Sequence, residues 1–396
     1  MPQTAHVNPI LLVWARESIN MDVADAAHKI GIKPEKLLQF EAGESRPTIR
    51  QAREMARVYR RPLACFYLPK PPTDLGFSVP HDFRRLPATG ERALSPQLIT
   101  ELRRIEFLRE MALELAEDIP DTPARFIGSV MVKESPDDVA KRATNLLGIT
   151  VEDRTAWRDP KHYDALNAWR RAIEELGVLV MHLKGVDEDE VGGIAIAEKR
   201  FPIIVVNGSS VNFRIFTLIH EFVHLMLGAT GISDVRPIAR ARTPDERVEQ
   251  FCNRVAAEVL VPRRSLLAQD AIRRTRGHVE WPDQVIENMA HAYSVSREVV
   301  ARRLFTLGRA TQNFYERKRR QYKEEAAALK KTGFITPPID VIRRLGQPMT
   351  QIAMNAYHRE SISASELADL LGARLKHLPE IRSLLQYPSM VSGGEG

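Results

Sequence analysis

Two histidines four residues apart, with a glutamate directly after the first, carry the chain's plainest chemical signal: His220, Glu221 and His224. On a helix, side chains four apart stand on one face, so the two imidazoles can aim at one point. Glu221 lies close enough to reach a water held at that point and is poorly placed to be a ligand itself. Two imidazoles on a metal with a carboxylate as general base is the chemistry of a zinc hydrolase. Apolar residues fall on nearly every side of residues 213–227, which marks the helix as buried. Polar groups buried together need partners, and a cation supplies one. The alternative is a pair of ordinary core histidines, with Glu221 turned to solvent.

Two histidines hold zinc loosely, and a catalytic site usually has a third protein ligand and an open position. The best source is the helix expected downstream of Thr243. Thr243 with Glu246 forms a capping box, Pro244 suits the first helical position, and Pro262 enforces the stop. At about 100° per residue, Asp245, Glu246, Glu249, Cys252, Asn253 and Ala256 share a stripe, while Glu258 points away. The acids able to meet the metal are therefore Glu249, Glu246 and Asp245. Cys252 is also eligible as a thiolate, although a small buried side chain is its simpler role.

Short strands are expected just before the His-Glu helix, at residues 178–181, 192–197 and 201–206, with Asn207-Gly208 closing the last. A peptide substrate can add to an exposed strand. Gly192 and Gly193, with no side chains to obstruct close approach, make that strand the expected wall of a substrate cleft. An ordinary bulge is the rival reading.

The remaining length divides around this core. At 396 residues with 44% hydrophobic and 27% charged side chains, the composition is that of a soluble globular protein of several domains. No apolar run is long enough to span a membrane, and no export signal precedes residue 9. Two cysteines, Cys65 and Cys252, are too few for a disulfide framework, so a reducing cytoplasm is expected. The fold class expected is α+β, predominantly helical, with segments 1–70, a 71–95 linker, 96–330 and a helical extension 331–396. The proline-rich join at residues 68–73, the irregular residues 82–84 and 87–90, and Thr332-Gly333 punctuate it. Residues 96–117 read as a long helix with one apolar face, residues 279–307 as helical with a helix-turn-helix look, and 315–331 as a charged, solvated helix. Residues 389–396 are expected to be disordered.

Residues 9–67 read as short helices with a glycine turn at Gly31, the spacing of a helix-turn-helix. Ala26-Ala27, Gly31-Ile32, Leu38, Phe40-Glu41, Gly43 and Arg46-Pro47-Thr48 resemble the phage-repressor, or Xre-type, DNA-binding domain. That resemblance implies that Lys33, Lys36 and Gln39 face a major groove and that Arg46, Arg50 and Arg53 contact phosphates. Asp22, Asp25 and Glu35 weaken the field there. Such bundles also serve as dimerisation or docking modules.

Phe216-Thr217-Leu218-x-His220-Glu221-x-x-His224, followed by Glu249-x-x-Cys252-Asn253-x-x-Ala256-Ala257-x-x-Leu260-x-Pro262, resembles the ImmA/IrrE family of metallopeptidases. The resemblance is strongest over residues 177–262. It implies a zincin-like core, a Zn²⁺ ion held by His220, His224 and Glu249, and Glu221 as catalytic base. It further implies a regulatory endopeptidase that cleaves a repressor-type transcription factor in a phage, stress or toxin–antitoxin setting. Operator DNA could then be met through residues 9–67. The reading from a different class is a DNA-binding regulator or antitoxin-like protein whose peptidase fold is sensory or inactive.

Overall fold

Local signals set several helix starts, where a side chain satisfies backbone groups that a helix leaves open. The computed structural model describes residues 3–72, 80–82, 94–116, 124–157, 159, 161–208, 210–233, 241–275, 277, 280–328 and 335–386. The punctuation expected at Thr73, 83–84, 87–90 and Thr332-Gly333, the helix end at Glu117 and the tail 389–396 lie outside these residues. Contacts divide the chain into Met1–Val79 with Leu86–Phe107, and Pro80–Arg85 with Leu108–Gly396. The division falls inside the long helix Pro96–Leu115, so its first part counts with the N-terminal unit and not, as expected, with 96–330.

The first unit holds α1 (Pro9–Glu17), α2 (Val23–Ile30), α3 (Pro34–Glu41) and α4 (Ile49–Val58). The Asp22 side chain accepts from the Asp25 amide to start α2, and Gly31, at φ 78°, ends it. Thr48 and Gln51 form a full capping box on α4. Leu12, Ala26, Ala27, Leu37, Phe40, Ala52 and Met55 fill the centre. Arg16 ties α1 to α3 through a bidentate pair with Glu41, at 2.8 and 3.0 Å. The rest of this unit includes the start of α5, which is Pro96–Leu115.

The second unit is built on a mixed five-stranded sheet, with strands β1 (His81–Asp82), β2 (Leu179–His182), β3 (Gly193–Ile196), β4 (Ile203–Val206) and β5 (Gly231–Ser233). Their order is β1-β5-β3-β4-β2. β3 runs antiparallel to both neighbours, Ile194 facing Val205 on one side and Ile232 on the other. β2 lies parallel to β4, and β1 parallel to β5. Every residue of β3 and β4 is buried, the pattern of strands covered on both faces. This corrects the expectation of an exposed edge at Gly192-Gly193: β3 is central, and its main-chain groups are already taken by two partners.

Four helices build the core beside the sheet: α6 (Pro136–Leu147), α7 (Tyr163–Glu174), α8 (Val211–Leu227) and α9 (Pro244–Leu260). α8 packs on β3 and β4 and is flanked by α7 and α9; α9 packs in turn on α6. Ile215, Leu218, Phe222 and Val255 are among the buried residues of this core. Beyond it come α10 (Arg263–Ala268), α11 (Asp270–Arg273), α12 (Asp283–Tyr293), α13 (Arg297–Thr306) and α14 (Gln312–Ala328). Two of the cations of α14 are paired, Lys318 with Asp283 and Arg317 with Glu280, both at 2.8 Å.

The last elements are α15 (Pro337–His358), α16 (Ala364–Leu371) and α17 (Leu378–Gln386). They are less of a tail than expected, because α15 packs on the edge strand β2. It breaks at Gly346, whose φ of 83° and ψ of 159° favour glycine. A Cβ at Gly346 would stand 2.6 Å from the Val180 carbonyl oxygen, so glycine is what lets this helix reach the strand.

Candidate metal centre

α8 is buried along almost its whole length, from Arg214 to Met226, and Gly228 ends it in the left-handed conformation. His220 and His224 come from its middle and are fully buried. α9 begins at the Thr243–Glu246 capping box and buries Glu249 beside them. The far end of α9 is held by Arg154, which is buried and donates to the carbonyl oxygens of Val259 and Leu260 at 2.8 and 2.6 Å. With a cap at each end, the position of Glu249 along α9 is closely constrained.

The two imidazole Nε2 atoms lie 3.1 Å apart. The Glu249 carboxylate stands 3.3 Å from the Nε2 of His220 and 3.0 Å from that of His224. Ligand atoms each ~2.0–2.1 Å from one zinc at tetrahedral angles are about 3.3–3.4 Å apart. With Glu249 Oε2 beside His220 and Oε1 beside His224, the three side chains converge at separations close to those of a tetrahedral metal site. They also form a buried group of metal-ligating type among the described residues. Both Glu249 oxygens and the Nδ1 of His220 lack any other hydrogen-bond partner among those residues. Three lone-pair donors converging on one point in the dry interior are costly without a cation and fit one. Burial raises the Glu249 carboxyl, but His220 and His224 outweigh it and hold the group down to about 2.

Glu221 occupies the adjacent position on α8 and is fully buried. Burial pushes its carboxyl up to about 8, opposed by His224 and by a hydrogen bond from Ser233. The Ser233 hydroxyl donates to Glu221 Oε2 at 3.1 Å. The other oxygen presses against β3: a Cβ on Gly193 would sit 2.4 Å from Glu221 Oε1 and 2.7 Å from Thr217 Cγ2. Gly193 thus makes room for the glutamate. Ser233 was not foreseen, and nothing in its neighbourhood of the sequence announces it; β5 brings it into range by pairing with β3.

The other candidates are placed differently. Glu246 is used in the α9 cap, where its side chain accepts from the Thr243 amide at 3.2 Å, and Asp245 is outside the converging group. Cys252 is fully buried, with its thiol pushed well up by burial and by the nearby carboxylates, and it also lies outside that group. Glu258 points away and pairs with Arg303. Asn207 closes β4 and holds the preceding loop, donating to the carbonyl oxygens of Val186, Asp187 and Val191 at 3.0–3.3 Å.

With this geometry in place, two family models match the chain. One, described as the IrrE N-terminal-like domain of peptidase family M78, covers residues 173–305, and the other, helix-turn-helix, covers residues 12–64. The chain joins a helix-turn-helix domain to an ImmA/IrrE-like domain. Comparison with curated proteins and with solved structures produced no match. The ImmA/IrrE-like match begins in α7 and ends in α13, so it contains the sheet strands β2 to β5 and all four residues of the centre. The combination is that of a regulatory, protease-like protein with a DNA-binding domain.

In the helix-turn-helix domain, α2 and α3 flank the turn at Gly31. Lys33, Lys36 and Gln39 are exposed on or at the start of α3, and Arg46, Arg50 and Arg53 are exposed on the following loop and α4. Lys36 bridges Gln39 and Ser45 at 3.1 and 3.2 Å, so it is partly engaged within the domain. Among the described residues no helix is long and apolar enough to cross a membrane.

Proposed function

We propose that this protein is a zinc-dependent regulatory endopeptidase that cleaves a repressor-type transcription factor and meets DNA through its helix-turn-helix domain. The observation that carries the reading is the convergence of His220, His224 and Glu249 at tetrahedral spacing, with Glu221 beside them. His220 and His224 would hold the ion through Nε2, and Glu249 through its carboxylate. When bound, zinc supplies Lewis acidity that both acidifies a water and polarises a peptide carbonyl. Glu221 is the group placed to take the water's proton and to return it to the leaving amine. Its environment suits that exchange, because a buried carboxyl raised toward neutrality binds and releases a proton more evenly than an exposed one. Ser233 keeps Glu221 Oε2 in place, and the missing side chain at Gly193 leaves room for Oε1.

The pairing of domains supports this substrate class. A helix-turn-helix attached to a protease brings it to operators, or to repressors that sit on them. Lys33, Lys36 and Gln39 would meet bases, and Arg46, Arg50 and Arg53 would meet phosphates. The reading is tested with Glu221→Gln in the full chain, incubated with the repressor-like protein of a neighbouring gene. We expect wild-type zinc content and no cleavage. Cleavage at the wild-type rate removes Glu221 from the mechanism.

One observation favours a second reading. His220, Glu221 and His224 have no exposed surface and Glu249 has 1%, so a peptide cannot reach them in this conformation. A DNA-binding regulator whose domain senses metal without cutting has the same arrangement. Operator binding that depends on zinc but not on Glu221, with no proteolysis of any neighbouring gene product, supports that second role.

A further inference from the structure

A small cavity in the second unit gathers positive charge that the metal centre does not use. It has a volume of about 50 Å³, and its walls include Arg170 of α7, Arg214 of α8, Arg343 of α15 and His182 at the end of β2, with Tyr163 and Leu218. His182 pairs with Val206, the last residue of β4, so the cavity lies at the carboxyl ends of two parallel strands. In sheets covered by helices, ligands commonly bind at those ends.

The charges there do not cancel within the group. Arg170 pairs with Glu174 at 3.0 Å and donates to the carbonyl oxygens of Val180 and Ile342. Asp340 serves both Arg343, at 2.8 Å, and Arg344, at 3.1 Å. Glu188 acts on Arg214. Three arginines line the cavity, and the acid beside one of them, Asp340, is shared with a fourth, Arg344, outside the lining. Burial first, and then the repulsion of Arg343 and Arg170, draw Arg214 down to about 10.

Arg343 Nε and His182 Nε2 are buried polar atoms of this lining with no hydrogen-bond partner among the described residues. Their chemistry is complementary. Arg343 Nε can only donate. His182 Nδ1 lies 2.7 Å from the Leu183 carbonyl oxygen, which can only accept, so Nδ1 carries a proton. Burial, with Arg214, Arg343 and Arg170 nearby, lowers the ring to about 4, which leaves Nε2 as a bare acceptor. A matching ligand offers an anionic oxygen to one atom and a hydroxyl to the other.

We propose that this cavity binds a protonated oxyanion of the hydrogen-phosphate class, either free or as a phosphomonoester, with Arg343 donating to one oxygen and His182 accepting from its hydroxyl. At roughly 10–15 Å³ per water-sized centre, the volume suits a group of about the size of phosphate. Arg343 also lines a second groove, of about 640 Å³, with Lys184, Arg374, Lys376, His377 and Asp340. A basic groove concentrates anions near its surface. Arg214, Leu218 and Glu221 share one stripe of α8, so an anion held here bears on the helix that carries the metal centre.

The test is isothermal titration of the full chain with inorganic phosphate, adenosine monophosphate and sulfate. Phosphate or the nucleotide binds at one site, and whichever binds more tightly identifies the source. Sulfate, which carries no hydroxyl at neutral pH, binds more weakly, and His182→Ala removes that preference. Arg343→Gln weakens phosphate about tenfold, the loss of one charge-assisted hydrogen bond, with an unchanged melting temperature in phosphate-free buffer. Arg343→Lys keeps the charge beside Asp340 but loses the Nε donor, and it too weakens binding. Absence of binding by both phosphate and nucleotide at millimolar concentration, or wild-type affinity in both Arg343 variants, overturns the proposal.

Discussion

Glu221 and Glu249 are glutamates that act on one another electrostatically and have opposite protonation tendencies. Glu249 faces two imidazoles and is held ionised at about 2, whereas Glu221 is governed by its burial and rises to about 8. This difference suits the proposed roles of ligand and base, since environments that push two carboxyls apart fit them for different work. Removing the ligand and crowding the base therefore give different phenotypes. Glu249→Ala is expected to lose bound zinc on dialysis, read by atomic absorption, while the protein stays folded in the far-ultraviolet dichroism spectrum. Gly193→Ala is expected to retain zinc but lose most cleavage activity, because its methyl group collides with Glu221 Oε1. Its stability should fall by about 1–3 kcal/mol, the usual cost of overpacking a tight site, measured by urea unfolding. Full activity in Gly193→Ala would show that Glu221 does not need its present position.

At the scale of elements, α8 and α9 are held in different ways. α8 is fixed by burial on nearly all sides against β3, β4, α7 and α9. α9 is half amphipathic and depends on its ends, with the Thr243–Glu246 box at one and Arg154 at the other. Arg154 is 3% exposed and makes its two bonds to backbone carbonyls at the C-terminal end of α9, where the helix dipole also favours a cation. Arg154→Leu leaves those carbonyls without donors and is expected to cost about 1–3 kcal/mol. Zinc affinity should fall with it, since Glu249 rides on the loosened helix. Competition titration with a chromophoric chelator measures that loss, and an unchanged zinc affinity would detach Arg154 from the site.

At the scale of the whole molecule, the proposed DNA-binding and metal-binding roles fall to different units, and their responses should separate as well. Chelation is expected to lower the unfolding temperature of the transition that belongs to the second unit, because a ligand bound only by the native state stabilises it by mass action. The transition of the helix-turn-helix unit should not move, as followed by calorimetry with and without a chelator. DNA affinity of the full chain should fall steeply with salt. Arg50→Ala and Arg53→Ala should weaken binding to all sequences alike and reduce the salt slope by about one each. Gln39→Ala should instead relax the preference among sequences. Fluorescence anisotropy over a salt series distinguishes these outcomes.

The chain's own order of residues was enough for much of this. The His-Glu-x-x-His spacing, the apolar surround of α8, the capping box and terminal prolines of α9 and the glycine turn of the N-terminal bundle are local signals that act within a few residues. They were legible because helix geometry and backbone capping are short-range physics. The choice among Asp245, Glu246 and Glu249 was not open to that reasoning alone, since all three share one stripe; only the packing of α9 against α8 brings Glu249 to the imidazoles. The same holds for β3, which reads as a plausible edge but lies at the centre because β5, a segment more than thirty residues later, pairs with it. Strand neighbours are chosen by long-range burial, and no local pattern encodes them. For the same reason Ser233, Gly346 and the meeting of Arg343 and His182 in one cavity emerged only from the tertiary structure, where residues far apart in sequence are forced to share a dry interior.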